Sequence, residues 1–321
     1  PGNRLDLEAV DSHWRAVPKF KNITLLNVTE EATKIAMLKT GELDMGEVSP
    51  DSAVAVKAAG LRIVLHDGGA QFFIALFYDL ENPTKYAIGD VKVRKALSLA
   101  IDRKEMGDKL YGGFAQPSAF FYAPRTAYFF DPNVLKPEPF DPEGAKKIIA
   151  EAGYPNGFAL KVWDLGGGSI LSTLDLALAG YWRKVGVNTE LTPIDVAALD
   201  KIFKPKHTPA MWPTVRPYFT GGGMFGFEKV PLIYDSAVSS FKNMNIPKLN
   251  ELIRQVPMTR DPAEKKRLAL EAAVMAKNDF SMIPILDLIT PFAVGPKVGE
   301  FAPIKNIAGL AASLETITHA K

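Results

Sequence analysis

A stretch of two amphipathic segments, from Asp90 to Gly113, constrains the fold more than any other part of the chain. Its apolar residues recur at intervals of three and four, which predicts a helix with one side packed on a core. Asp102 has Glu105 three residues later, the spacing of a capping box, and so predicts a second helix that Gly112 and Gly113 end. The stretch therefore indicates two short helices that cover a larger core, and it carries no chemistry of its own.

The segments before this stretch alternate between strand and helix patterns. Thr29 and Ser49 each begin a segment with helical spacing, and the apolar run from Gln71 to Leu80 predicts a buried strand. Period-two alternation of apolar and polar residues predicts further strands at 4–10 and 22–28, and the segment LRIVLH at 61–66 predicts another. Such alternation is typical of an α/β lobe, and a similar progression follows residue 140. Further along, Asp261 before Pro262 predicts the start of another helix.

Composition excludes several classes of partner and site. The chain has 321 residues, 47% of them hydrophobic, which is enough for two compact domains. Its 38 Lys and Arg against 36 Asp and Glu leave a net charge of +2, so no overall field favours nucleic acid. The absence of cysteine excludes disulfides, thiolate metal sites and cysteine nucleophiles. No apolar run reaches the roughly 18 residues that a membrane span needs.

Motifs of catalysis are missing, so no catalytic residue, metal ligand or cofactor is predicted. The four histidines lie far apart without H-E-x-x-H spacing, and no G-x-S-x-G is present. Two glycine runs, at 166–168 and 221–223, lack the G-K-[ST] ending of a phosphate-binding loop. Flexible connections are the simpler interpretation of both runs, although the first lies between a strand and a helix, where an anion can bind.

Aromatic residues form the strongest local signal. On the strand at 71–80, Phe72 and Phe73 are most simply core residues, because alternate side chains point to opposite faces. Two loop segments, at 117–132 and 211–227, are also rich in aromatics, among them Tyr122 and Tyr218. Loops run over surfaces and carry binding residues, so a core role is less expected there. These loops are predicted either to line a ligand pocket or to dock another protein.

Several segments, taken in order, resemble one protein family. They read PGNRLDLEAV at 1–10, EEATKIAMLKTGELDM at 30–45, VRKALSLAIDRKE at 93–105, YGGFAQP at 111–117, FDPEGAKKIIAEAGYPNGF at 140–158 and TRDPAEKKRLALEAA at 259–273. The set resembles the family 5 extracellular solute-binding proteins, which are the peptide- and nickel-type receptors of ABC importers.

This resemblance implies an α/β, two-lobed fold of the periplasmic-binding-protein kind (type II, cluster C-like) with part of the first lobe missing. Residues 1–85 and 285–321 would form the C-terminal portion of the first lobe, and residues 86–284 the second lobe. In the family the segment at 1–10 lies inside the polypeptide, so we expect an N-terminal part that includes the export signal to be absent. Pro1-Gly2-Asn3 is a turn sequence and not a signal peptide. The expected location is periplasmic or extracellular, as a free protein or a lipoprotein.

The resemblance also indicates residues that contact the ligand. In the family the loop after the strand at 158–163 faces the cleft, which points to Trp163, Asp164 and Ser169. Peptide-binding members end a strand with a Trp, followed by an Asp that pairs with the peptide ammonium. Trp212 resembles that Trp, but no acid follows it, and Arg216 stands there instead. Arg216 suits a carboxylate, a phosphate or an aromatic face, or else pairs with an acid of the protein. The predicted ligand-binding set is Trp212, Arg216, Tyr218, Trp163, Asp164, Ser169, Phe72, Phe73 and Tyr122.

The predicted function is therefore that of a receptor and not of an enzyme. The chain would capture a peptide, a peptide-like compound, or an anionic or aromatic small molecule between its lobes and deliver it to an ABC permease in the membrane. No cofactor and no metal are expected, and the oligomeric state is left open. Two alternatives remain: an interaction module that docks through the aromatic loops, and an enzyme that uses the cleft.

Overall fold

The computed structural model describes residues 3–14, 16–121, 127–164, 170–195, 198, 214–221, 227, 230–239, 241, 243–303 and 314–320. The strands are β1 Arg4–Glu8, β2 Asn22–Leu26, β3 Met45–Glu47, β4 Arg62–Phe77, β5 Ala115–Pro117, β6 Phe158–Asp164, β7 Val187–Pro193, β8 Thr214–Gly221 and β9 Met282–Val294. The helices are α1 Glu31–Thr40, α2 Pro50–Ala58, α3 Val91–Leu99, α4 Arg103–Leu110, α5 Pro142–Glu151, α6 Ile170–Lys184, α7 Val230–Tyr234, α8 Pro247–Met258 and α9 Pro262–Asp279.

Short polar side chains begin several of these helices. The side-chain oxygens of Ser49, Asp102 and Asp261 accept hydrogen bonds from backbone N–H groups in the first turns of α2, α4 and α9. Each bond satisfies a donor that the helix itself leaves unpaired. The predicted helix starts at these three positions are confirmed.

One mixed sheet organises the described part of the chain. Its strands follow the order β3-β9-β4-β8-β6-β7, and β5 pairs with β9. The predicted strands at 61–66 and 71–80 join into the single strand β4, because β9 pairs with both halves of it. The register shifts between Asp67 and Ala70, where a β-bulge or irregularity interrupts the ladder. β4 and β9 thus form a continuous antiparallel pair that crosses the molecule.

The wide part of the sheet has a separate apolar core on each face. On one face Phe72, Ile74 and Leu76 pack with residues of α3 to α6. On the other face Phe73, Ala75 and Phe77 pack with residues of α7, α8 and α9. Successive residues of β4 therefore alternate between the two cores, as period-two geometry requires.

The elements at the far ends of β4 and β9 are less extensively packed. Helices α1 and α2 share a small core with Ala293 of β9. Strands β1 and β2 form a separate two-stranded antiparallel sheet whose residues are mostly exposed. No helix in the described ranges combines the length and the apolar character that a bilayer span demands. Nor do His, Asp and Glu side chains in those ranges gather into a group of three that suits a metal ion.

Candidate functional site

The carboxyl ends of several strands meet near the register shift of β4. β8 runs antiparallel to β4, and its last residue, Gly221, pairs with Ala70 beside the shift. β6 and β7 run parallel to β8, so they end toward the same part of the sheet. β3 ends there from the opposite side, since Glu47 pairs with Phe292 of β9. In open α/β sheets, ligands bind beyond the carboxyl ends of strands, so we expect a ligand site in this region.

A cavity of about 580 Å³ occupies this region. One wall comes from α1, from the turn after β3 and from the start of α2; the other comes from α4, the residues after it, and α6. The floor is the middle of β9. We call it the seam cavity; its lining residues are Glu31, Lys34, Glu47, Val48, Ser49, Pro50, Asp51, Leu110, Tyr111, Phe114, Thr173, Leu288, Ile289, Thr290 and Pro291. Its volume lies within the range that is usual for small-molecule sites.

The first wall is held in place by Glu31. Its carboxylate accepts a hydrogen bond of 2.7 Å from the backbone N–H of Ser49 and one of 3.1 Å from Nζ of Lys34. Burial acts to raise the pKa of Glu31, but these bonds outweigh it, and the pKa lies below its ordinary value. Glu31 therefore stays ionised and ties α1 to the turn that begins α2.

The opposite wall contains a buried hydroxyl. Tyr111 follows α4 and is 4% exposed, and its ring lies 5.4 Å from the ring of Phe72. Its hydroxyl has no hydrogen-bond partner among the described residues. Burial raises the pKa of Tyr111, and the carboxylate of Asp175 raises it further. The hydroxyl is therefore neutral, and it can both donate and accept a hydrogen bond.

Backbone hydrogen bonds join both walls to the floor. The N–H of Ile289 donates to the carbonyl of Phe114 at 2.9 Å, and the N–H of Val48 donates to the carbonyl of Pro291 at 3.0 Å. Strand β9 thus contacts the wall from α4 and the wall from α2 within three residues of each other. Movement of one wall relative to the other would have to bend β9, or its partner β4, at this position.

A polar cluster lies at the same level of the crossing strands. Nε2 of Gln71 donates to Oδ1 of Asp287 at 2.6 Å and to Oγ of Ser118 at 3.3 Å, and all three side chains are buried. At the register shift, Nε2 of Gln116 donates to Oδ1 of Asp67 at 3.1 Å. These bonds connect β4, β5 and β9 where the ladder is irregular, so they stabilise one arrangement of the crossing.

Asp164, one of the residues that the sequence indicated for ligand contact, is connected to the seam cavity through α6. It is the last residue of β6, and its Oδ1 accepts a 3.0 Å hydrogen bond from Oγ of Ser172 on α6. The next residue of that helix, Thr173, lines the cavity. Asp164 therefore reaches the site through its neighbour on α6 and is not itself part of the lining.

Three other indicated side chains are packed in the two cores. Phe72 lies in the core under α3 to α6, while Phe73 and Trp163 lie in the core under α7, α8 and α9. The ring of Phe73 stacks on that of Phe121 with centroids 3.5 Å apart. None of the three lines the seam cavity. The ring of Phe72 lies beside that of Tyr111, which is a lining residue.

The remaining indicated residues are described in part or not at all. Arg216 and Tyr218 lie within β8, where their Cα atoms pair with those of Ala75 and Phe73, and their side chains are outside the described set. Trp212, Ser169 and Tyr122 lie outside the described residues. The ligand contacts predicted for Trp212, Ser169 and Tyr122 therefore stay predictions.

Three aromatic residues correct the expectation that the loop at 117–132 lines a ligand pocket or docks another protein. Phe120, Phe121 and Phe129, from the loop at 117–132, are almost completely buried. They belong to the core that contains α7, α8 and α9. These three side chains therefore contribute packing instead of a docking surface, whereas Tyr128 of the same loop is about half exposed.

Sequence reasoning missed most of the cavity lining, including Glu31, Ser49, Asp51, Tyr111 and Thr173. The pattern Ser49-Pro50-Asp51 predicts only the start of a helix, and Tyr111-Gly112-Gly113 predicts only the end of one. Both stretches follow regular elements whose ends meet at the seam. The position of Ser49 after a strand is the one signal that pointed to a site.

Comparisons with known proteins agree with this architecture. Residues 1–221 match the family model of the bacterial extracellular solute-binding proteins, family 5 Middle. The glutathione-binding protein GsiB of Escherichia coli O1:K1 is 26% identical over 290 residues, which are 85% of this chain and 54% of that protein. The chain thus spans about half the length of the curated relatives it matches.

Two solved structures show the same fold. HbpA2 from Haemophilus parasuis superposes with a TM-score of 0.82 at 20% identity, covering 100% of this chain and 62% of that one. DppA from Helicobacter pylori, in complex with the peptide STSA, superposes with a TM-score of 0.72 at 17% identity, covering 99% and 61%. The neighbours are two-lobed periplasmic binding proteins, so the predicted fold class is confirmed. With a matching model over more than half of its length, the chain belongs to the bacterial extracellular solute-binding proteins of family 5.

Proposed function

We propose that this chain is part of the solute-binding component of an ABC importer, located in the periplasm or outside the cell. It binds a small solute in the seam cavity, and its partner is a permease in the membrane. The members of its family are transport receptors and not enzymes. Peptides and glutathione, which two of the similar proteins bind by name, are the first solutes to test.

The observation that carries this proposal is the seam cavity itself. Its walls come from elements that precede and follow the crossing strand β4, and its floor is the second crossing strand, β9. A solute between two such walls contacts both at once, so binding favours the arrangement in which they are close. Capture by closure of two lobes on a solute is the mechanism that this geometry supports.

The test is a thermal-shift screen of peptides, amino-acid conjugates, phosphorylated sugars and aromatic acids on intact-length protein. A bound solute stabilises the folded state by mass action, so at least one class should raise the melting temperature. Failure of all four classes would contradict the proposal.

A variant that fills the cavity locates the site. Thr173→Trp places a large ring at an exposed position of the lining, so it should weaken binding of the stabilising compound by at least about tenfold. Leu176→Trp, about one turn further along α6 and also exposed, is the matched control and should bind normally. Equal binding by both variants would place the solute elsewhere.

A further inference from the structure

The two strands that join the walls of the seam cavity differ in length at the register shift. On β9, Leu288 and Ile289 are consecutive, whereas their partners on β4, Ala70 and Asp67, are separated by two residues. Both of these extra residues, at 68–69, are glycines, which adopt the widest range of backbone conformations. An insertion of this kind also bends a strand. The shift is therefore the point at which β4 can turn and the walls can move apart.

One side chain of the opposite wall packs on the first wall. Phe114 follows α4, yet its half-buried side chain packs against the small core that α1 and α2 share with Ala293. Nearby, a Cβ placed on Gly112 would lie 3.9 Å from Cβ of Pro50, the first residue of α2, which is an ordinary van der Waals distance. The walls thus meet beside the cavity, and moving them apart would expose the ring of Phe114 to water.

A hydrogen bond joins the two sides of the shift. Nε2 of Gln116 on β5 donates to Oδ1 of Asp67 at 3.1 Å. Asp67 lies before the two glycines of β4, whereas Gln116 pairs with Asp287, which belongs to the part of β9 beyond the shift. Strand β5 is itself held in place, because Nε2 of Gln71 donates both to Asp287 and to Ser118. The bond from Gln116 to Asp67 therefore spans the glycines and opposes a turn at them.

We propose that Phe114 and Gln116 form a clasp that holds the walls of the seam cavity together before a solute arrives. The apolar contact of Phe114 and the hydrogen bond from Gln116 to Asp67 both favour the arrangement in this structure, and both are lost when β4 turns at the glycines. The two are positioning residues, since they set the fraction of molecules whose walls are together.

A solute that needs the walls together binds more weakly as that fraction falls. This effect of the clasp on affinity rests on the proposed function, because it concerns the same cavity. The effect of the clasp on the separation of the walls does not, so it is the quantity to measure.

The separation of the walls can be measured without any solute. Because the chain has no cysteine, Val54→Cys and Leu176→Cys together supply one pair of spin-label sites. Val54 is 71% exposed on α2, and Leu176 is 65% exposed on α6. Each lies one helical turn beyond a residue of the cavity lining, Asp51 and Thr173 respectively. Pulsed electron–electron double resonance gives the distances between the labels, and we expect one predominant distance in the labelled protein.

Variants of the clasp should move molecules to longer distances. Phe114→Ala removes the apolar contact and should raise the ratio of separated to joined molecules by about tenfold. Gln116→Ala removes one hydrogen bond and should raise the ratio about threefold. Gln116→Glu should raise it further than Gln116→Ala, because two carboxylates then face each other. Gln116→Lys should retain the shorter distance, because its ammonium can still donate to Asp67.

Two variants elsewhere are matched controls. Phe140→Ala removes a ring that is 46% exposed and lies beside Tyr181 on α6, and Gln255→Ala removes an exposed amide on α8. Both should leave the distances unchanged. Unchanged distances in Phe114→Ala and Gln116→Glu, or equal shifts in the controls, would overturn the clasp. If Phe114→Ala does not fold, the three variants of Gln116 decide the question by themselves.

The two proposals fail in different ways. A thermal-shift screen in which no compound stabilises the protein contradicts solute capture, but it does not alter the measured distances, which need no solute. Unchanged distances in the clasp variants reject the clasp, even where Thr173→Trp has located a solute in the seam cavity.

Discussion

The two β-sheets of this protein differ sharply in packing, although the sequence predicts strands in both. In the wide sheet, residues 72–77 of β4 are at most 1% exposed, because helices or covered loops lie on both faces. In the two-stranded sheet of β1 and β2, Leu5 is 54% exposed and its neighbours are mostly exposed as well. Alternation of residues therefore marks a strand, but only its neighbours decide whether the apolar face is buried.

Ion pairs show the same contrast. Arg94 and Asp279 are 3% and 17% exposed, and their side chains meet at 2.9 Å. Arg94 also donates to the carbonyls of Ile88 and Gly89, and its guanidinium lies over the ring of Tyr78. Arg4 and Asp6 meet at 2.8 Å, but they are 64% and 60% exposed. The two ion pairs have similar distances but contribute unequally to stability, because water screens the exposed pair, Arg4 and Asp6.

Removal of each arginine should give the largest difference, between the packed helices beside the wide sheet and the two-stranded sheet. Arg94→Ala removes the cationic partner of the partly buried Asp279 carboxylate and the donor to the carbonyls of Ile88, Gly89 and Asp279, so it should lower the free energy of unfolding by about 3–5 kcal/mol. Arg4→Ala should lower it by at most about 1 kcal/mol. Urea unfolding of both variants measures the difference, and similar losses would contradict the contrast.

Truncation of one leucine in each sheet should give the next largest difference. Leu76→Ala opens a cavity at a position with no exposure, so the expected loss is about 2–5 kcal/mol. Leu5→Ala removes side-chain surface that is already half in water, so the expected loss is within about 0.5 kcal/mol. If chemical denaturation shows that Leu5→Ala is as costly as Leu76→Ala, the small sheet is part of a core in solution.

The smallest expected difference is between the hydrogen-bonded carboxylate of Glu31 and the exposed carboxylate of its neighbour Glu30, and acid titration should reveal it. The pKa of Glu31 lies below its ordinary value of 4.5, so its stabilising contribution is present above that pH and is lost as the pH falls through the lowered pKa. Since about a third of the side chain is exposed, the contribution is below about 1 kcal/mol.

The measurement compares Glu31→Gln with the unaltered protein between pH 7 and pH 3. The variant should be less stable at neutral pH, and the two curves should converge in acid. Glu30→Gln, at the exposed neighbouring position without a side-chain cap bond, is the control and should follow the unaltered protein throughout. A constant difference across the range would contradict an ionised role for Glu31.

Much of the fold was predictable from local pattern. Asp102 and Asp261 predicted the starts of their helices. The hydrogen bond from a backbone N–H to a capping carboxylate is a local interaction, and its pattern lies within four residues of the sequence. The strand at 71–80 was likewise evident from its aromatic and β-branched residues. Its fusion with the strand at 61–66 was not, because continuity across Gly68 and Gly69 depends on pairing with β9, more than 200 residues away.

The site was much less predictable than the fold. The aromatic loop at 117–132 was expected to carry binding residues, but Phe120, Phe121 and Phe129 pack in the core with α7, α8 and α9. Glu31, Tyr111 and Thr173 have ordinary local roles in a helix or a turn and indicate no site, and Ser49 indicates one only by its position after a strand. Only the convergence of four separate segments turns them into the walls of one cavity.

The sequence by itself determined the α/β class, the helix caps, the family resemblance and the absence of cysteine chemistry, because these depend on near neighbours or on composition. The tertiary structure alone decided which aromatics are core, where β4 and β9 cross, and which charges share the seam cavity. Those properties depend on contacts between residues that are distant in the chain. A pattern of near neighbours carries no information about such contacts, so the charge and shape of the cavity emerge only in the folded molecule.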